Sequence, residues 1–148
     1  MAVVIGIDPG TKGGYAFFGK DRRFHAFTFK DFDRTKEHLA PLRDFSPKVV
    51  VEQVSSTPNM GCKSAFTFGN NVGRWQQFIE DTFGEKPEYV LPGIWQAPYR
   101  PLDPQYTKRK RRLKKVAAHL FPDVSVTLDN CDALLICKYG VDKANKQK

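Results

Sequence analysis

The stretch Val3-Val4-Ile5-Gly6-Ile7-Asp8-Pro9-Gly10-Thr11 constrains the fold more than any other part of this chain. An unbroken β-branched run without polar alternation suits a strand buried on both faces, in the centre of a sheet. Pro9-Gly10 breaks the run directly after a carboxylate, and a second apolar run, Tyr15 to Phe18, follows Gly13-Gly14. A carboxylate at the end of a buried strand is costly unless something pairs with it. Either Asp8 accepts hydrogen bonds from the turn amides at Gly10 and Thr11, or it belongs to a site. Three more carboxylates at positions of the same kind favour the site.

The first third reads as three consecutive strands, roughly 2–7, 14–19 and 23–29, joined by turns of hairpin length into an antiparallel meander. Residues 33–44 read as a short amphipathic helix, and Lys48-Val49-Val50-Val51-Glu52 as a fourth strand that again ends in an acid. An intervening helix makes this strand parallel to the first. Asp8 and Glu52 then stand side by side at the carboxyl edge of the sheet, where ligand sites of open α/β sheets gather. A polar loop is expected over 53–62.

Phe68, Val72, Trp75, Ile79 and Phe83 repeat at helical spacing, which predicts a helix over 64–83 with that face toward the core. Gly69 and Gly73 lie four apart on an adjacent face; packing on the sheet is preferred slightly over pairing across a dimer. Tyr89-Val90-Leu91 is a fifth strand, and Pro92 to Tyr106 an ordered loop. The final helical pattern begins at Asp129-Asn130-Cys131-Asp132. Asp129 and Asp132 are either a helix cap with its third-position partner or two further site acids leading into a core stripe.

Composition enters through charge. The chain of 148 residues carries a formal net charge of +8, which points to a polyanionic partner, nucleic acid above all. Thr107 to Lys115 holds seven cations in nine residues. On a helix over 107–121, Leu113, Val116, Ala117, Leu120 and Phe121 form the apolar stripe. Lys108, Arg111, Arg112, Lys115 and His119 take the opposite face, free to meet phosphates. Cys62, Cys131 and Cys137 form no CxxC pair, and the three histidines have no metal-ligand spacing. No apolar run is long enough to span a membrane, and the first strand leaves no room for a leader. One domain over 1–142 with a disordered basic tail at 143–148 is expected. The expected location is the cytoplasm of a bacterial or phage-infected cell, or an organelle after removal of a transit segment.

Four carboxylates at one edge repel one another unless cations bridge them. Oxygen-only ligands select Mg²⁺ or Mn²⁺, and two such ions about 4 Å apart clamp a scissile phosphate. Asp8, Glu52, Asp129 and Asp132 in a basic protein therefore predict a metal-dependent phosphodiesterase acting on nucleic acid, with no nucleotide cofactor.

The same residues carry a resemblance. Ile5-Gly-Ile-Asp8-Pro-Gly-Thr11, Glu52 and Asp129-x-x-Asp132-Ala133-Leu134 resemble the motifs of RuvC-type Holliday-junction resolvases, in the ribonuclease H-like superfamily. Ser64-Ala65-Phe66-Thr67-Phe68-Gly69-x-x-x-Gly73 is similar to the stretch after that family's glutamate, and Leu120-Phe121-Pro122 also fits. The short interval from Asp8 to Glu52 looks more like phage and chloroplast-type members. The resemblance implies an α/β, ribonuclease H-like fold: a five-stranded mixed sheet, three antiparallel strands then parallel ones, flanked by helices. It implies a homodimeric endonuclease cutting opposed strands of a four-way DNA junction. Asp8, Glu52, Asp129 and Asp132 would hold two metal ions, and Lys108 lines up with a lysine near the scissile phosphate. Phe66 or Phe68 falls where an aromatic helps open the junction. The expected nucleic-acid surface adds Lys12, Lys63, Ser64, Arg74, Arg100, Arg109, Arg111, Arg112 and Lys115. Gln96 stands after Trp95 where the family commonly has a lysine, and the loop 98–106 has no clear counterpart.

Rival readings remain open at this point. A ribonuclease H-type or general branched-DNA nuclease keeps the fold and metals, and the fold does not decide between substrates. A non-catalytic nucleic-acid-binding relative would be expected to have lost an acid. An actin-like ATPase shares the first motif but needs two such domains.

Overall fold

A computed structural model describes residues 2–54 and 60–147; part of the expected 53–62 loop lies outside them. The meander forms from β1 (Val4–Asp8), β2 (Gly14–Phe18) and β3 (Phe24–Thr28). After α1 (Phe32–Leu39) and a 3₁₀ turn (Ala40–Phe45) comes β4 (Lys48–Glu52), then α2 (Cys62–Phe83) and β5 (Glu88–Val90). The strand order is β3-β2-β1-β4-β5, with β1 antiparallel to β2 and parallel to β4. The meander, the crossover and the mixed sheet are those expected. The helix expected over 33–44 instead splits, because Pro41 lacks an amide hydrogen and the chain tightens into the 3₁₀ turn there.

Strand alternation sorts the two layers of core. Ile5, Ile7, Val49 and Val51 face an aromatic-rich cluster with Leu39, Trp75 and Ile79. Val4 and Val50 face the other way, toward α5 (Cys131–Lys146) and α4 (Tyr106–Leu120). β1 is buried along its whole length, so an even-numbered side chain on it meets α5 at close range. Gly6 makes that approach feasible: a Cβ there would stand 2.4 Å from the Cys137 amide nitrogen and 2.6 Å from the Ala133 carbonyl oxygen.

Three expectations are corrected. The basic tail is helical through Lys146, and Lys143 pairs with Glu88 at the start of β5, a tertiary contact that the polar composition of 143–148 concealed. Gly69 and Gly73 do not pack on the sheet, since a Cβ at either meets nothing within 4 Å among the described residues. The segment 92–106 is partly helical, with α3 (Pro92–Trp95) and a 3₁₀ turn (Ala97–Tyr99) that drive Trp95 into the core at 1% exposure. Among the described residues, no helix is long and apolar enough to cross a membrane.

Candidate active site at the carboxyl edge of the sheet

Asp8 and Glu52 end neighbouring parallel strands whose register pairs Ile7 with Val51. Both are even-numbered, so both carboxylates point to the α4–α5 side with Val4 and Val50. Asp132, in the first turn of α5, joins them there. A single ammonium ties the group together: Lys110 Nζ stands 2.8 Å from Asp132 and 3.7 Å from Asp8. The Asp8, Lys110 and Asp132 side chains are each between 11% and 13% exposed, so little water screens them.

Each carboxylate also has a fixed neutral partner. Gly10 donates its amide to Asp8 Oδ1 at 3.1 Å, the turn contact anticipated from the Pro-Gly sequence. Trp95 donates its indole N–H to Glu52 Oε2 at 2.8 Å. Turn and site are therefore not alternatives for Asp8; one oxygen serves the turn while the carboxylate faces the cluster.

Burial and mutual repulsion set the protonation of the site. Burial, and then the charges of Asp8 and Asp132, push the Glu52 carboxyl up to about 8. Burial and Asp132 likewise raise Asp8, against the pull of Lys110 and the Gly10 amide. Burial works against the Lys110 charge, but Asp132 and Asp8 outweigh it and hold the ammonium above the ordinary lysine range. Cys131, beside Asp132, is pushed up to about 12 by burial and that carboxylate, and stays a thiol.

Of the four expected acids, the structure gathers three. Asp129 precedes the first turn of α5, half-exposed, with its backbone against Gly14. It does not cap α5. The cap position is Asn130, and Asp132 bonds Lys110 instead of completing a capping box. Among the described residues, no group of three His, Cys, Asp or Glu side chains is arranged to hold a metal ion. The donor chemistry nonetheless fits a hard divalent cation: oxygen ligands only, on carboxyls raised by burial and by one another.

Lys108 is exposed, and Lys110 is the lysine whose ammonium enters the cluster. Around this centre a cavity of about 130 Å³ is lined by Glu52, Asp132, Lys110, Arg109, Tyr106 and Gln96. Gln96 thus reaches the site where a lysine was expected, and Arg109 and Lys110 bring the charge from α4. The Arg109 guanidinium lies 5.7 Å from the Tyr106 ring centre.

The other expected contacts spread over the surface. Lys12, Lys63, Ser64, Arg74, Arg100, Arg111, Arg112 and Lys115 are exposed. Phe66 is 79% exposed, while Phe68 is half-buried. Sequence reasoning missed Lys110 and the Trp95–Glu52 bond. The first was readable, because Lys110 lies on the buried stripe of α4; the second depends on a fold-back of residues 92–95 that no local pattern announces.

No family model matches the chain, and no curated protein matches it. Solved structures do match in shape. Thermus thermophilus RuvC in complex with a Holliday junction substrate is similar at a TM-score of 0.67 and 17% identity, over 99% of this chain and 96% of that one. A second Thermus thermophilus RuvC structure is similar at 0.61 and 16%, over 98% and 96%. The fold is ribonuclease H-like, in the arrangement seen in RuvC.

Proposed function

We propose that this chain is a metal-dependent endonuclease that cuts four-way DNA junctions. The observation that supports the reading best is the convergence of Asp8, Glu52 and Asp132 at the carboxyl edge of the sheet, beside Lys110 and Arg109, in a protein of net charge +8. Asp8, Glu52 and Asp132 would hold the cation, with Asp129 close enough in the chain to join them. A bound Mg²⁺ or Mn²⁺ supplies an activated water and stabilises charge on the leaving oxygen. The chain's own residues do the rest. Trp95 holds the orientation of Glu52, the Gly10 amide that of Asp8, and Lys110 and Arg109 offer N–H donors to phosphate oxygens. A homodimer, with one cut per subunit, accords with a junction of two equivalent strands.

A second reading rests on the Lys110 contacts. An ammonium that already neutralises Asp8 and Asp132 also suits a structural ion-pair network in a non-catalytic binder. The test is incubation of a labelled four-way junction, a linear duplex and an RNA–DNA hybrid with Mg²⁺, Mn²⁺ or EDTA. Paired symmetric cuts on the junction alone, lost with EDTA, are expected. Cutting of the hybrid instead would change the substrate, and tight binding without any cutting would favour the binder.

A further inference from the structure

We propose that the cavity beginning one residue beyond Asp8, on the α2 face of the sheet, takes a single unpaired purine base of the bound nucleic acid. The proposal rests on the nucleic-acid reading above. The cavity measures about 180 Å³ and lies between the turn after Asp8, Phe29, Phe32 and the α2 residues Asn71, Arg74 and Trp75. It falls below the roughly 300 Å³ at which small-molecule pockets begin, a size for one ring system and not for a base pair. In a four-way junction every base is paired, but the continuous stack is broken at the crossover, so a base there is unpaired and extruded at less cost than one inside a duplex.

Three features fit a base better than a phosphate alone. Phe29 and Phe32 are half-buried and meet edge to face at 5.0 Å, so an aromatic wall lines the cavity, the kind of surface against which bases pack. Their positions are fixed by Trp75, whose ring centre lies 5.2 Å from Phe29 and 5.1 Å from Phe32. The Arg74 guanidinium lies over the Phe32 ring, 5.0 Å from its centre, which holds a planar cation at the rim. Asn71 donates weakly to the Thr11 hydroxyl at 3.5 Å, so its amide is steered toward the turn after Asp8 while its carbonyl stays available. An amide matches the N6 and N7 edge of adenine and a guanidinium the O6 and N7 edge of guanine. Both edges belong to purines.

The experiment measures binding of the full chain and of Asn71→Ala to a four-way junction in EDTA. Each nucleotide flanking the crossover is replaced in turn by an abasic site. Alanine is a good helix former, so α2 is retained in the variant. In the unmodified protein, one position per strand is expected where loss of the base weakens binding about tenfold, with purines preferred there over pyrimidines. In Asn71→Ala that dependence falls below about twofold. Indifference of the unmodified protein to every abasic position overturns the proposal, and so does a full pattern retained in Asn71→Ala. Cleavage of the same junctions in Mg²⁺ is a separate arm. An abasic pattern that vanishes in Asn71→Ala, together with no cleavage in any condition, supports the pocket and overturns the nuclease.

Discussion

Lys110 sits three residues before Leu113 and seven before Ala117, the two buried positions of α4. A cation on that stripe must have a partner, and here it has two, Asp132 and Asp8. Replacing it with methionine leaves carboxylates close together without compensation. In EDTA at pH 8, Lys110→Met is expected to lower stability by about 2 kcal/mol, less than a fully buried pair would lose because the site is partly wet. Chemical denaturation checks this, with Lys108→Met expected to change stability by less than about 0.5 kcal/mol. Equal effects of the two variants would remove Lys110 from the cluster. Glu52 gives the matching pH dependence. Its folded carboxyl is raised from 4.5 to about 8, so its contribution is fully present below pH 4.5 and is lost as pH rises toward 8. In metal-free protein, Glu52→Gln is therefore expected to gain stability over the native chain across that window, by on the order of 4 kcal/mol at pH 8. Unfolding curves in EDTA at pH 5 and pH 8 measure the gain; a constant difference would show that Glu52 does not titrate as described. On the nuclease reading, Glu52→Gln also lowers junction cutting by about 10²–10³-fold while binding persists.

Two pairs of glycines separate close approach from open surface. A Cβ at Gly6 meets the backbone of α5, and one at Gly140 stands 2.7 Å from Val4 Cγ1 and 3.1 Å from Val50 Cγ2. Neither neighbour can yield without moving α5, the element that carries Asp132. Gly6→Ala is expected to cost about 3 kcal/mol or prevent folding, and Gly140→Ala about 1–3 kcal/mol. Gly69→Ala and Gly73→Ala meet nothing among the described residues and should raise stability, by up to about 1 kcal/mol each through helix propensity. Thermal unfolding at low protein concentration ranks the four, and a destabilising Gly73→Ala would mean that α2 is covered by something. These elements also show what the sequence made legible. β4 was readable to its last residue because an apolar run, a bounding proline and an acid coincide. The juxtaposition of Asp8 and Glu52 was readable because two parallel neighbouring strands each end in an acid. Lys108 was singled out by its place in the resemblance, which does not register that Lys110 shares the buried stripe of Leu113 and Ala117. The end of α5 was hidden because its anchor, Glu88, lies more than fifty residues away in the chain. Gly69 and Gly73 misled because small residues four apart look alike whether they face a sheet or solvent.

Across the whole molecule, the charge is divided between two regions of α4. Its buried side delivers Lys110 and Arg109 to the acid cluster, and its exposed side carries Lys108, Arg111, Arg112 and Lys115. Arg111, Arg112 and Lys115 form no ion pair among the described residues, so phosphate contact there displaces counterions and not protein carboxylates. Each phosphate neutralised contributes about 0.9 to the slope of log K against log salt for duplex DNA. Lys108, Arg111 and Arg112 replaced together by alanine should therefore flatten that slope by about 2–3 and weaken binding at low salt most. Lys110 differs in kind: its charge is already engaged by Asp132 and Asp8, so Lys110→Met should change the slope by less than about 1. Titrations of a four-way junction at several salt concentrations, in EDTA so that no cutting intervenes, separate the two sides of the helix. An unchanged slope in the triple variant would place the nucleic acid on another face. A slope that falls as steeply for Lys110→Met as for the triple variant would mean that the acid cluster releases its lysine to the phosphate on binding. The two regions would then act as one surface.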